Sequence, residues 1–240
     1  MTWNKISIGD LGKVITGNTP PKKVKEFYGS AFKFIKPTDM NIGERFTFQT
    51  EEFYSHLASE KYKKSLIPPY STCVVTIGSI GKKITLTDEN CFVNQAVNAV
   101  IPKKDEFDPL FVFYALKNLL QTIKKADTGA SSGRENVSRS NFMSIPLWVP
   151  KQIAHQKKIG SILSAYDDLI ENNLKRIQLL EEATQHFYKE WFVNFRFPGS
   201  ESKSINKETG LPEGWEKSKI NEFGLVITGK TPPTKKAQYY

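Results

Sequence analysis

The sequence predicts an α+β fold: a globular mixed α/β domain over residues 1–150, followed by a long helix able to form a coiled coil over 151–193. Three observations predict it. Short alternating stretches bounded by Gly and Pro fill the first 150 residues. A heptad stripe then runs for about four repeats. Finally, the opening segment returns, without a gap, 212 residues later.

In the first domain, residues 5–16 read as a short helix or an extended lead-in, closed by Gly17. Ala31–Lys36 and Phe46–Thr50 alternate like strands, and Phe53–Lys64 reads as a polar helix ended by Pro68-Pro69. Cys73–Ile77 and Lys83–Leu86 flank a glycine turn as a hairpin, and Ala96–Ile101 supplies another strand. Asp108 caps and Pro109 opens a helix running to about Lys125. A Gly/Ser-rich loop, Asp127–Ser138, precedes a last strand at Ile145–Val149.

From Lys151 to Trp191 there is no proline, and Gly160 is the one glycine. Leu163, Ile170, Ile177, Thr184 and Trp191 recur every seven residues, and Ile159, Tyr166, Asn173, Leu180 and Phe187 form the second row. About 40 residues at 1.5 Å each make a rod of roughly 60 Å. Such a rod cannot bury its stripe on one small domain, so a partner helix is expected. Asn173 is a polar interruption of the kind that fixes register. A long core helix with one tolerated Asn is the plainer alternative. Residues 194–214 are breaker-rich and read as a linker.

The repeat pairs Trp3–Tyr28 with Trp215–Tyr240. Half of the aligned positions are identical, including Val14-Ile15-Thr16-Gly17 against Val226-Ile227-Thr228-Gly229. The period is too long for a solenoid. It marks a duplicated domain, so 215–240 is read as the start of a second, incomplete copy.

The chain carries 34 Lys and Arg against 25 Asp and Glu, a formal charge of +9. That surplus favours a polyanionic partner, although a merely basic protein would show it too. Cys73 and Cys91 read as buried free thiols of a reducing compartment. No secretory leader follows Met1, and no apolar run reaches membrane-spanning length. A cytoplasmic protein without membrane association is expected.

Gly224 to Thr231 fits GxxxxGK[ST], but Leu225, Val226 and Ile227 fill the phosphate cradle, Pro232-Pro233 block the helix that should follow, and Asn18 replaces the lysine in the first copy. Ile67-Pro68-Pro69-Tyr70 resembles an adenine methyltransferase motif, yet Ile67 cannot bond an exocyclic amine. His56, His155 and His186 are scattered, and neither a catalytic triad nor a carboxylate pair is evident. No catalytic residue and no metal site are expected.

Two segments suit nucleic acid. Gly78-Ser79-Ile80-Gly81-Lys82-Lys83 could offer backbone N–H groups and lysines to phosphate. Ser131 and Ser132 lie with Arg134, Asn136 and Arg139 in a polar loop, and Arg and Asn pair bidentately with guanine and adenine. An ordinary hairpin turn and a plain surface loop are the competing readings. Lys36 and Thr38 are expected to assist.

The residues that complete the reading are Trp3-Asn4-Lys5-Ile6 with Leu11-Gly12, and the second start from Gly210 to Glu216. Ile35-Lys36-Pro37-Thr38-Asp39, Val75 to Lys82, Asn94-Gln95, Ile145 to Pro150, Asp167 to Asn173 and Glu190 to Val193 follow. In this order they resemble the specificity subunits of type I restriction-modification systems over essentially the whole chain. The resemblance implies two target recognition domains per full subunit, each reading one half of a split DNA target, with paired helices setting the gap. It implies methylation subunits that bind S-adenosylmethionine and modify adenine N6, and a motor-restriction subunit that uses ATP and Mg, with no cofactor on this chain. Two units at the 212-residue spacing imply a full chain of about 400 residues, so this chain holds one domain and one helix. Two copies associating through Ile159, Leu163, Tyr166, Ile170, Asn173, Ile177, Leu180, Phe187 and Trp191 would restore the pair. The rivals are a coiled-coil scaffold that binds no DNA, a stand-alone nuclease or methyltransferase, and a non-functional truncated subunit. A scaffold would scatter its lysines, whereas a DNA reader would gather them on one face of residues 1–150.

Overall fold

The computed structural model describes residues 2–127 and 135–231. Contacts divide the chain into two compact units, Met1–Leu174 and Lys175–Tyr240.

The first unit is layered. A central antiparallel sheet has the order β2 (Gly12–Thr16), β8 (Val97–Pro102), β5 (Thr72–Val75), β6 (Ile84–Leu86). Beside it lies a second sheet of β4 (Glu52–Tyr54), β3 (Tyr28–Ile35) and β7 (Cys91–Val93), with β3 and β7 parallel. A two-stranded ribbon joins β1 (Trp3–Ser7) to β9 (Pro146–Pro150).

The strand period of two decides which core each residue enters. Val14, Val74 and Val100 face the core shared with α2 (Pro109–Asn118), α3 (Leu120–Lys125) and α4 (Arg139–Ser144). Their neighbours Ile15, Cys73, Val75 and Ala99 face the core between the two sheets, with Ile35, Cys91 and Val93 from the other side. Phe34 and Phe92 then point outward onto α1 (His56–Lys61), where Phe27, Tyr54 and Ala58 complete a third cluster. Tyr54 stacks on Phe92 at 4.4 Å. Both cysteines are free and buried in the middle core, as expected. Burial pushes the Cys73 thiol up to about 12.

Several elements differ from expectation. The lead-in is neither one helix nor one strand: β1 and β2 are separated by a 3-10 turn over Ile8–Leu11, which buries Ile8 and Leu11. Phe46–Thr50 makes only an isolated bridge, Phe46 to Leu86. The stretch 53–64 is a strand end and then α1, because the Ser55 hydroxyl accepts the Ala58 N–H at 3.2 Å and starts the helix there. The expected 108–125 helix breaks at Leu119 into α2 and α3. Asp108 caps α2 as expected, accepting the Phe111 N–H at 2.9 Å.

Helix α5 spans Ile153–Tyr188 and continues into a π turn over Lys189–Val193. In the second unit Trp215 stacks on Phe197, with ring centroids 5.5 Å apart, and also meets Phe192 and Phe195. Of the repeated lead-in, Ile220 is 81% and Phe223 82% exposed, whereas their counterparts Ile8 and Leu11 are sealed.

Candidate nucleic-acid interface and partner helix

Five chain segments converge at one end of the two sheets. Gly17 donates its N–H to Val97 O and Asn18 to Val93 O, each at 3.1 Å. A Cβ at Gly17 would lie 2.0 Å from the Val93 carbonyl oxygen, so only glycine allows this crossing. Asn94 N–H reaches Ile35 O at 3.1 Å, and Thr76 N–H reaches Ala96 O at 2.8 Å. Val137 N–H donates to Thr76 O and Gly78 N–H to Glu135 O, both at 2.9 Å. Beneath them, the Thr16 hydroxyl donates to Asn98 Oδ1 at 2.6 Å, and Asn98 Nδ2 donates to the Thr76 hydroxyl at 3.0 Å.

This cluster brings together most of the described residues singled out in the sequence. Thr38, Ser79 and Lys82 are exposed on it. Lys83 lies beside the Lys36–Thr38 segment, its Nζ donating to Pro37 O at 2.6 Å. Lys36 pairs with Glu51 at 2.6 Å and Glu52 at 3.4 Å. Burial opposes its charge, yet these carboxylates prevail and raise its pKa, while Lys36 lowers that of Glu51. Gly78 and Gly81 hold φ of 84° and 76°. The turn between them is packed down rather than open. The Gly78 N–H is already donated, Ile80 is buried, and a Cβ on Gly81 would come within 2.9 Å of Lys124 Cβ. Asn136 N–H donates to Asp127 Oδ1 at 3.2 Å, and Arg139 spans to the Val14 carbonyl at 2.5 Å. Ser131, Ser132 and Arg134 lie outside the described residues. Exposed Thr19 and Gln95, hydrogen-bonded to each other, join the cluster and were not assigned a binding role from sequence.

The second feature is the way α5 meets its domain. The face turned inward is small and polar. Gln156 is buried; its Oε1 accepts the Asp108 N–H at 2.9 Å, and its Nε2 donates to Pro150 O at 3.0 Å and Glu106 O at 3.2 Å. Gly160 lies against the α2 cap, where an added Cβ would sit 2.7 Å from Asp108 Oδ1. Further along, Asp167 accepts from the Tyr114 hydroxyl at 2.8 Å and pairs with Lys117 at 3.4 Å. Arg45, with 6% of its side chain exposed, donates to the Ser164 hydroxyl at 3.0 Å, pairs with Glu171 at 3.1 Å and with Asp168, and lies over the Phe46 ring. Burial disfavours the Arg45 charge, but the two carboxylates more than offset this and raise its pKa. Sequence reasoning missed Arg45 altogether; its one trace there was a lone arginine beside Phe46.

Because the polar face is spent on the domain, the apolar rows of α5 are left over. In the first unit Ile159 is partly buried on the domain core, but Leu163, Tyr166 and Ile170 are exposed, as are Ile162 and Leu169. A hollow of about 340 Å³ lined by Trp3, Tyr114, Leu147, Trp148, Ile159 and Leu163 continues this apolar surface. In the second unit Ile177, Leu180, Phe187 and Trp191 are likewise exposed. Asn173 is exposed too. No described helix is long and apolar enough to cross a membrane, and no described cluster of His, Cys, Asp or Glu could hold a metal ion.

Residues 1–182 match the family model described as the type I restriction modification DNA specificity domain. The chain belongs to this family. It is 26% identical to the type I restriction enzyme MjaIX specificity subunit of Methanocaldococcus jannaschii, over 99% of this chain and 55% of that protein. It is 32% identical to the HindI specificity subunit of Haemophilus influenzae, over 75% of this chain and 39% of that one. Among solved structures, the type I S subunit from M. genitalium superposes with a TM-score of 0.61 at 19% identity, covering 80% of this chain and 46% of that one. A chain from a study of type I R-M complex assembly and conformational transition gives 0.53 at 17% identity, covering 82% and 46%. These structural likenesses establish the fold, a mixed α/β domain followed by a long helix. The specificity-domain chain spans about half the length of the curated relatives it matches.

Proposed function

We propose that this chain is a DNA-recognition subunit that reads one half of a split target and directs adenine-N6 methylation and restriction by partner subunits, without catalytic residues of its own. The observation that carries the reading is the specificity-domain match over residues 1–182. The end-loop cluster supports it by presenting Thr19, Thr38, Ser79, Lys82 and Gln95, side chains suited to base edges and phosphates, on a scaffold fixed by backbone bonds. S-adenosylmethionine, ATP and Mg belong on this reading to the methylation and motor subunits, in a cytoplasmic complex.

The helix supplies the assembly half of the reading. The leftover apolar rows favour a second helix: two copies packed antiparallel, with methylation subunits completing the bundle. Covering Leu163, Tyr166, Ile170, Ile177, Leu180 and Phe187, each about half exposed in the single chain, would gain roughly 1 kcal/mol per side chain. Summed over the twelve side chains of two copies, this is of the same order as an association cost of about 4–15 kcal/mol. A two-fold pair would read a palindromic split site. Sedimentation of the purified chain, alone and with a methylation subunit, tests this. Dimer mass that becomes monomer in Ile170→Glu/Ile177→Glu supports the pairing, and a strict monomer in both conditions removes it.

A further inference from the structure

Five of the 17 lysines in residues 1–150 are matched to carboxylates. Lys33 pairs with Asp88 and Glu89, Lys36 with Glu51 and Glu52, Lys103 with Glu106, Lys117 with Asp167, and Lys124 with Glu135. Of the other twelve, six gather in one region. Lys22, Lys23 and Lys25 surround the 3-10 turn Lys25–Phe27, and Lys61, Lys63 and Lys64 lie at the end of α1 and in the next 3-10 turn. All six are exposed, and none makes an ion pair among the described residues. Glu26 and Glu60 are interspersed, so the surplus there is four positive charges.

The two lysine groups are one surface. The Phe27 ring meets Tyr62 edge-on at 5.7 Å, and Lys61 Nζ lies 4.6 Å above the Phe27 ring centre. The Ser55 N–H that opens α1 donates to Phe27 O at 3.0 Å. The surface also adjoins the end-loop cluster. Asn18 Nδ2 reaches the Ser65 hydroxyl at 3.5 Å, and the next residue, Thr19, bonds Gln95. Lys22 and Lys25 share a shallow hollow with Tyr28 and Glu52, the carboxylate that partners Lys36.

We infer that the lysine face built from Lys22, Lys23, Lys25, Lys61, Lys63 and Lys64 binds the phosphate backbone of duplex DNA, flanking the loop cluster that would meet the base edges. The inference rests on the proposed DNA-reading function and adds where the backbone lies. Lys61 has a local reason to be where it is, since a cation suits the last turn of a helix. That reason does not extend to the other five. Unpaired lysines held close together on an ordered surface repel one another and gain most from a dense line of negative charge, which a duplex supplies. Lysine is a point charge without fixed geometry, so this face gives affinity and register and leaves sequence discrimination to the neighbouring loops.

The test uses the full chain and a fluorescently labelled 30-base-pair duplex of arbitrary sequence, with anisotropy titrations across a salt series. Each lysine removed from a phosphate contact flattens the slope of log affinity against log salt by about 0.9. Lys22→Gln/Lys23→Gln/Lys25→Gln and Lys61→Gln/Lys63→Gln/Lys64→Gln should therefore each flatten it by about 2.7. A charge-matched control, Lys151→Gln/Lys157→Gln/Lys158→Gln on and before α5, should leave the slope as in the unaltered chain. The Lys22 set makes no side-chain hydrogen bond, ion pair or cation–π contact among the described residues, so it tests the face even if loss of the Lys61–Phe27 contact disturbs α1. Equal slopes in the face variants and the control overturn the inference while leaving DNA reading intact. An unaltered chain that binds no duplex at any salt overturns the DNA-reading function itself, and the inference with it.

Discussion

Gly160→Ala separates two forces that act in opposite directions. In an isolated helix, alanine in place of an interior glycine gains about 1 kcal/mol. Here the added methyl would lie 2.7 Å from Asp108 Oδ1, 2.9 Å from Phe111 N and 3.0 Å from Leu110 Cβ. The first two atoms are the donor–acceptor pair of the α2 cap, at 2.9 Å, and a backbone nitrogen cannot yield without moving α2. Overpacking of this kind costs about 1–3 kcal/mol, and a disturbed cap about 1 more. The net expectation is destabilisation of about 1–3 kcal/mol, or a Tm lower by about 2–12 °C in a chain of this size. Thermal unfolding followed by far-ultraviolet circular dichroism reads it, with Asn172→Ala at an exposed position of the same helix as the control for propensity. Asp108→Ala combined with Gly160→Ala should cost less than the sum of the two, because both act on one cap. A Tm that is unchanged or raised by Gly160→Ala would refute close docking of α5 on the α2 cap.

Arg45→Met should cost about 2 kcal/mol in urea unfolding, less than the 3–5 kcal/mol of a fully buried broken pair, because the Asp168 side chain is 60% exposed and can rehydrate. A loss below 0.5 kcal/mol would show that the domain–helix joint does not depend on this arginine. The buried thiols set an alkaline limit. Their pKa values are raised in the fold, so the stability they contribute is whole below the ordinary thiol pKa of about 8.5 and is lost as pH rises towards about 12, the value for Cys73. Cys73→Ala should make the fall in stability above pH 9 shallower, and in the native chain both thiols should react with Ellman's reagent only at the unfolding rate. An unchanged alkaline slope, or fast labelling, would contradict their burial.

The parts of the fold that were legible in the sequence are those with local, periodic signals. The β5–β6 hairpin alternates around a glycine turn, Asp108-Pro109 marks a helix start, and the heptads of α5 need no tertiary information. What escaped is non-local. Strand β7 has three residues, all buried, and owes its place to a parallel neighbour, β3, far away in sequence. The hydrophobic rows of α5 identify a partner face, but its docking face reads Gln156, Gly160, Ser164, Asp167 and Glu171, a pattern that looks solvent-exposed until Arg45, Tyr114 and Lys117 are set against it. The same holds for the site. Gly78–Lys83 and Lys36–Thr38 attract notice by residue type, whereas Lys22–Lys25 and Lys61–Lys64 become one surface only through the packing of Phe27 on Tyr62.

On the proposed function, this domain reads half of a split DNA target while its helix recruits a second copy. That function is tested most directly by expressing the chain with a type I methylation subunit in a methylation-free host and mapping N6-methyladenine across the genome. One bipartite motif with two identical, inverted half-sites and a fixed gap is the expected result. Methylation without any shared motif, or none at all from a complex that assembles, would contradict the proposed function.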